Sequence, residues 1–489
     1  MLGLCKVGEI SGWLFDQLIP SDFISGGKLN LPNRTVPQVF RKRNVLMTPF
    51  RITFCWMLLF AFIFTARLGQ AQTFRTLYKF SGTSDGLGPS GTVLFDSQGN
   101  MYGTAHGFSQ YYGTAWKIDS SGNFTPLHLF DSIQSGYYPC QTLALDSAGN
   151  LYGADSGPGI NFYNGNVWKI DSSGNYTPIY TFQDLADGSQ PVGGVTLGPD
   201  GYLYGMTQSG GANKLGTVWK SDTSGNLNPI YTFHGGAEGS GPLGTVAFDT
   251  AGNMYGTNYG GGILPNGSNG GGTIWKIDTL GSFSVLHTFT YGADGANPQA
   301  SVRFDAAGNM YGTASSGGAY GWGTVWKINT AGAFSVVHAF TNGSDGGEPN
   351  GNVTFDSAGN MYGTAGIANG VFSESGTIWK ISPSGAFSTI YLASAPTGYG
   401  PNGDVTIDAN GNLYGTFVGG GIELPHEGYC GTVWQISPAN YSLKDMGSSP
   451  NVLVGGGTST GTIYLNGVAP GLGLTVNLSS NDPNFIVPS

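Results

Sequence analysis

Across 489 residues, 84 glycines and 13% aromatics stand against only 10% charged residues, a composition that excludes a helical bundle and marks a turn-rich β protein. The first 71 residues read as a leader; without them 11 basic side chains face 26 acidic ones, and a net charge of −15 excludes phosphate backbones and anionic membrane surfaces as partners. Trp, Tyr, Phe and Val recur at fixed places, so the glycines punctuate strands rather than marking disorder.

Residues 52–64 (ITFCWMLLFAFIF) form an apolar run preceded by Arg41, Lys42, Arg43 and Arg51 and followed by Gly69-Gln70-Ala71, the small residues a signal peptidase reads. The run is short for a span of roughly 20 residues, so the expectation is export with cleavage after Ala71 and no stable membrane span in the mature chain. Met47 opens a leader of ordinary length and is the expected translation start, which leaves Cys5 and Trp13 outside any folded domain.

From residue 72 to 440 one unit repeats. Tyr-Gly occurs at Tyr102, Tyr152, Tyr204, Tyr255, Tyr311, Tyr362 and Tyr414, each followed by a Trp, from Trp116 to Trp434. A period of roughly 50 residues means a solenoid or a propeller. Within residues 301–340 four strand-like runs follow one another: SVRFD, NMYGTA, GTVWKI and FSVVHAF, here called a, b, c and d. Short hairpin loops, D-A-A-G-N and N-T-A-G-A, join a to b and c to d, so each unit is an up-and-down antiparallel sheet of four strands.

The ends of the array decide between solenoid and ring. The seventh unit stops after strand c, while residues 74–80 (FRTLYKF) are a solitary strand d placed before the first unit. An N-terminal strand that completes the last blade closes a ring and leaves no unpaired edge at the seam. The expected fold is all-β: a seven-bladed β-propeller of four-stranded antiparallel blades. Tyr and Trp of the repeat are predicted to pack between blades, the Gly after Tyr to permit close approach, and the strand c lysines to lie along the surface. Cys140 and Cys430 fall in the second and seventh units, which are not ring neighbours, so no disulfide is expected between them.

The segments Asp294-Gly295-Ala296-Asn297-Pro298, Phe304 to Thr313 (FDAAGNMYGT) and Gly323 to Ile328 (GTVWKI) resemble the GloVer-type, choice-of-anchor extracellular tandem-repeat proteins over roughly residues 74–438. The resemblance implies export and surface display, and it supplies no reaction and no catalytic residue. Residues 441–489 change character. Their alternating Thr, Val and Leu resemble the opening of a bacterial immunoglobulin-like domain, too short for a sandwich of roughly 100 residues, so a linker and a partial immunoglobulin-like segment are expected there.

In such a blade the b-to-c and d-to-a connections share one face of the ring, and that face carries the variation: 105–113, 258–272 and 417–431. Ligands are held disproportionately by variable loops on a rigid scaffold. The candidate binding residues are therefore His106, Tyr111, Tyr112, Trp322, Glu423, His426 and Glu427. His106 and His426 lie in loops that ring closure makes neighbours. Of the other histidines, His128, His287 and His338 replace strand d tyrosines and read as packing residues. Acids at the d-to-a turns (Asp85, Asp187, Glu238, Asp294, Asp345) could bind calcium, but Asp-Gly is an ordinary turn dipeptide and two units lack the acid. No cofactor or catalytic motif is present in the sequence. The expected function is a secreted or cell-surface noncatalytic binding or adhesion propeller for a carbohydrate or a surface protein. The alternative is an extracellular polysaccharide hydrolase or lyase with a lone ionisable pair at the channel mouth.

Overall fold

The computed structural model describes residues 5–6, 72–107, 112–130, 138–156, 164–184, 186–371, 374–395, 397–424, 428–438, 443–449 and 460–465. The leader run at 52–64 and Met47 lie outside them. No described helix is long and apolar enough to cross a membrane.

Each F-D-x-x-G-N segment turns on its aspartate. In the fifth unit Asp305 Oδ1 accepts the N–H groups of Ala307 and Asn309, both at 2.9 Å, and Oδ2 accepts Asn309 Nδ2 at 2.8 Å and the Tyr311 hydroxyl at 3.1 Å. The side chain thus replaces the backbone partners that the turn lacks and ties strand b to it. Six of the seven units repeat this turn with its tyrosine, from Asp96 and Tyr102 at 3.0 Å to Asp408 and Tyr414 at 3.0 Å. The third unit, which lacks the Asn, keeps its Tyr204-to-Asp200 bond at 2.8 Å.

The strands of blade 5 are Arg303–Phe304 (a), Met310–Ala314 (b), Thr324–Ile328 (c) and Phe334–Ala339 (d), all antiparallel in sequence order. Blades 1 to 6 share this order. In blade 7, Thr406–Ile407, Leu413–Phe417 and Thr432–Pro438 form strands a to c, and the outermost strand is Gln72–Lys79 from the other end of the repeat array. Phe80 N–H donates to Gly431 O at 3.1 Å, the counterpart of Phe340 N–H to Gly323 O at 3.0 Å in blade 5. The ring is closed as the interrupted repeat predicts.

Closure extends through the core. Each of seven apolar clusters spans two neighbouring blades; the seam cluster joins Phe80, Tyr414 and Val433 to Val93, Met101 and Trp116. All seven repeat tryptophans are fully buried, so they are packing residues as predicted. A Cβ on the Gly of Tyr-Gly would lie 2.4 Å from the Trp326 ring in blade 5, so it is the tryptophan of its own blade that requires glycine there. The Thr that follows reaches the next blade: Thr313 Oγ1 donates to Gly351 O at 3.1 Å, and Thr416 crosses the seam to Gly91 O at 3.3 Å.

On the blade flanks, the lysine of strand c lies 5.3–5.8 Å over the centre of the strand b tyrosine ring in blades 1 to 6. In blade 7 Gln435 Nε2 instead donates to the Tyr414 hydroxyl at 3.0 Å. The strand d histidines stack on the next blade, His128 on Tyr176 at 3.6 Å, His287 on Phe334 at 3.7 Å and His338 on Phe387 at 3.9 Å. They are packing residues, as their repeat position implies. The closing strand joins this belt on both sides, with Tyr391 stacked on Phe74 at 4.2 Å and Tyr78 on Phe124 at 4.0 Å.

A second unit comprises residues 1–73 and 438–489. Its described strands are Leu443–Ser449, antiparallel to Thr460–Leu465, which also pairs with Cys5–Lys6. The expected start at Met47 does not include that last pairing. The rest of the immunoglobulin-like reading, on 451–459 and 466–489, lies outside the described residues.

Candidate functional site

The d-to-a connection brings each chain segment to the axis through the same Pro, from Pro89 to Pro401, and strand a then lines the channel. Under each proline sits the first glycine of G-T-V-W in the preceding blade. At Gly323, φ is +95° and a Cβ would stand 2.6 Å from Pro349 Cδ, so no other residue fits. The residue before the proline is left-handed in all seven connections. Gly88, Gly241 and Gly400 occupy it in three; Tyr138, Gln190, Asn297 and Glu348 adopt φ of 53° to 58° in the others. A left-handed conformation costs a non-glycine residue about 1–2 kcal/mol, and two of these side chains are held by b-to-c loops, Gln190 Oε1 accepting Ser209 Oγ at 3.1 Å and Asn297 Oδ1 accepting Ser316 Oγ at 2.6 Å.

Below this rim lies a shallow depression of about 20 Å³, room for roughly one or two waters, with walls from all seven blades. Three positions after the proline, strand a carries Thr92, Thr142, Gly194, Thr245, Ser301, Asn352 and Asp404 in turn. Asp404 is the one carboxylate in the wall and the centre of a girdle. Its Oδ1 accepts Asn352 N–H at 2.7 Å, and its Oδ2 accepts Asn352 Nδ2 at 2.6 Å and Thr92 Oγ1 at 2.7 Å. Asn352 Oδ1 accepts Ser301 N–H at 2.5 Å, and Ser301 Oγ accepts Thr245 N–H at 2.6 Å. Two residues deeper, Arg303 holds a guanidinium nitrogen 3.7 Å from Asp404 Oδ2. The girdle runs along the wall of the depression and links blades 4, 5, 6, 7 and 1.

Of the sequence candidates, the structure brings His106 to this depression. Its Nε2 lies 3.2 Å from the buried Ser90 Oγ in the wall, and its ring meets Tyr138 edge-on at 5.3 Å. Burial holds the imidazole down to about 4 from its ordinary 6.5, so it is neutral at physiological pH. Tyr112 and Trp322 are half-buried and pack into the blade 1–2 and blade 5–6 interfaces, which makes them wedges under the loops. Glu423 is exposed on a two-residue ladder with Tyr429, whose hydroxyl it pushes up in pKa by its charge. Tyr111, His426 and Glu427 lie outside the described residues, so the adjacency expected of His106 and His426 lies there too.

The d-to-a acids are engaged locally: Asp85 accepts the Tyr78 hydroxyl at 3.0 Å, and Asp294 and Asp345 each lie 3.1 Å from a strand d histidine. Cys140 and Cys430 are buried and form no disulfide, and Cys140 Sγ donates to Pro191 O at 2.7 Å.

Sequence reasoning missed the exposed tyrosines of the loops. Five tyrosines among the described residues are exposed, and four lie on the variable face: Tyr138 at 39%, Tyr259 at 41%, Tyr291 at 56% and Tyr320 at 62%. Three of these sit on one laced stretch between blades 4 and 5. Gly271 of the blade 4 loop accepts Asn297 N–H at 2.6 Å, and Gly292 accepts Gly318 N–H from the blade 5 loop at 2.8 Å. Asn297 Nδ2 donates to Tyr259 O at 3.1 Å, and its Oδ1 accepts Ser316 Oγ at 2.6 Å. It also missed Asp404 and Arg303, whose signal was a charge at strand a positions that other units fill with small or neutral residues.

The sequence profile of the Gloeobacter/Verrucomicrobia repeat matches this chain twice, over residues 61–268 and 263–473. No curated protein matches it in sequence. Among solved structures it is similar to the extracellular domain of a protein from B. thetaiotaomicron named as a one-component system, at 10% identity and a TM-score of 0.48, covering 74% of this chain and 40% of that one. It is also similar to a gluconolactonase from Xanthomonas campestris, at 12% identity and a TM-score of 0.38, covering 75% of this chain and 91% of that one. A prolyl endopeptidase aligns at 12% identity with a TM-score of 0.42, over 74% of this chain and 53% of the other. Likenesses this distant bear on neither ligand nor reaction.

Proposed function

We propose that this chain, which belongs to the Gloeobacter/Verrucomicrobia repeat family, is an exported, noncatalytic binding propeller that holds a glycan on its variable loop face. The observation that carries the reading is the placement of Tyr138, Tyr259, Tyr291 and Tyr320, exposed together on the face where the loops vary. Tyrosine offers a rigid apolar ring with a polar tip, which suits the C–H face and hydroxyl edge of a sugar at little entropic cost. The laced backbone beneath three of them removes loop-ordering entropy before any ligand arrives. Export is supported by the apolar run at 52–64 behind its arginines.

One observation favours the second reading, a polysaccharide hydrolase or lyase. Arg303 and Asp404 are a nonrepeated ion pair at the channel mouth. Against it, both Asp404 oxygens already accept hydrogen bonds from Thr92 and Asn352, which leaves no lone carboxylate poised for proton transfer. A glycan array together with a polysaccharide-degradation screen on the full chain separates the two. Saturable binding without release of reducing ends is the expected result. Reducing ends that appear with the wild type and vanish in Asp404→Asn would establish the enzyme instead.

A further inference from the structure

We infer that a cut after Ala71 makes Gln72 the first residue of the mature chain and that Gln72 then cyclises to pyroglutamate, a cap that protects the closing strand; the inference rests on the export reading above. In blade 5, strand d begins inside a covalent hairpin. Strand c ends at Ile328 and strand d starts at Phe334, and Asn329 Oδ1 fastens the loop between them by accepting the N–H groups of Ala331 and Ala333 at 3.0 and 2.9 Å. Blade 7 has no such loop. Its strand c ends at Pro438, and its outermost strand begins at Gln72, the residue directly after Gly69-Gln70-Ala71. The motif that a signal peptidase reads and the first residue of the closing strand therefore meet with no linker between them.

That coincidence puts the seam of the ring at a chain end. Chain ends fray unless something ties them down. Thr73 is exposed, but the next residue, Phe74, stacks on Tyr391 at 4.2 Å and packs into the blade 6–7 cluster with Phe417 and Trp434. An aminopeptidase that trimmed residues 72–74 would take an aromatic ring out of that core. The starts of strand d in blades 1 to 6 lie within the chain, beyond the reach of an exopeptidase. The peptidase that makes the cut still has access, because the closing strand cannot pair until residues 432–438, at the far end of the array, have been made.

The chemistry follows from the residue type at this one position. Hydrolysis of the Ala71–Gln72 bond by water frees an α-amine. The uncharged amine attacks the carboxamide carbon of the same glutamine, the new C–N bond closes a five-membered lactam, and the carboxamide nitrogen leaves as ammonia with the proton that the amine gives up. No further reactant is needed. The product keeps an amide N–H, the donor a strand requires, and loses the α-ammonium charge. It also lacks the free amine that an aminopeptidase grips.

The test expresses the full chain with its leader in a bacterial secretion host and reads the product by intact-mass spectrometry and N-terminal sequencing. The expected product starts at residue 72, is lighter by one ammonia than the uncyclised chain and resists Edman degradation. In Gln72→Ser the same cut leaves a free amine. On incubation with an aminopeptidase that variant is expected to lose residues from its N-terminus, and with them the single cooperative unfolding transition of the ring, while the wild type keeps both. A wild type that starts at residue 72 with a free amine, one that is cut elsewhere, or a Gln72→Ser chain as resistant as the wild type overturns this inference and leaves export standing. A product that stays in the cell with its leader attached overturns both.

Discussion

At the scale of single residues, His106 links chemistry to pH most directly. Burial favours its neutral form, holding the folded value to about 4 against 6.5 for the free group. Protonation therefore costs the folded state. The neutral imidazole's contribution is complete above pH 6.5 and is lost as pH falls toward 4, the reverse of a histidine that gains an anionic partner. The urea midpoint of the wild type is expected to fall between pH 6.5 and 4 more steeply than that of His106→Gln, which retains a polar tip toward Ser90. Parallel curves would show that His106 is solvated. Below this window the turn aspartates take over. For Asp96, burial is the largest single influence and pushes its pKa upward, but hydrogen bonds led by Asn100 outweigh it and hold the carboxyl below its ordinary value. Stability from such turns is present above the unfolded carboxylate pKa and lost as pH falls through the folded one.

At the scale of elements, the closing strand is the most exacting test of the ring. Gln72–Lys79 supplies the edge of blade 7, Phe74 fills the blade 6–7 interface beside Tyr391, and Phe80 is fully buried at the seam. Deleting residues 72–81 removes all three contributions at once. The expected outcome is loss of a single cooperative unfolding transition for the ring, seen by tryptophan fluorescence because all seven repeat indoles are buried. A deletion variant with an unchanged transition would contradict closure by this strand. The seam was legible because the repeat breaks phase at both ends, and a ring needs that break. The stitch from Thr313 or Thr416 to the next blade was not legible, since a lone Thr in a strand reads only as β propensity. Nor was the bulge between Val325 and Trp326, repeated in blades 1 to 6, which no composition cue marks.

At the scale of the whole molecule, closure makes one face uniform and leaves variation to the other. The variable face could be chosen from loop lengths, but the groups in it could not all be ranked. Trp322 and Tyr112 look like binding aromatics in sequence and are wedges in the structure, because the ring places their loops against a neighbouring blade. Tyr320, in the same b-to-c loop as Trp322, and Tyr291, in a d-to-a connection with a left-handed φ of 60°, remain outside. Asp404 and Arg303 were hidden for another reason. Which side of strand a faces the axis is known only after the blades are arranged. The central claim, that this face holds a glycan through its exposed tyrosines, is tested most directly by affinity electrophoresis in neutral polysaccharide gels. The comparison is between the full chain, a Tyr259→Ala, Tyr291→Ala, Tyr320→Ala variant, and Tyr202→Ala as a control on the opposite face, where that ring is 42% exposed. The account predicts retardation of the wild type and of Tyr202→Ala, and its loss in the triple variant; equal retardation of all three, or none at all, would contradict it.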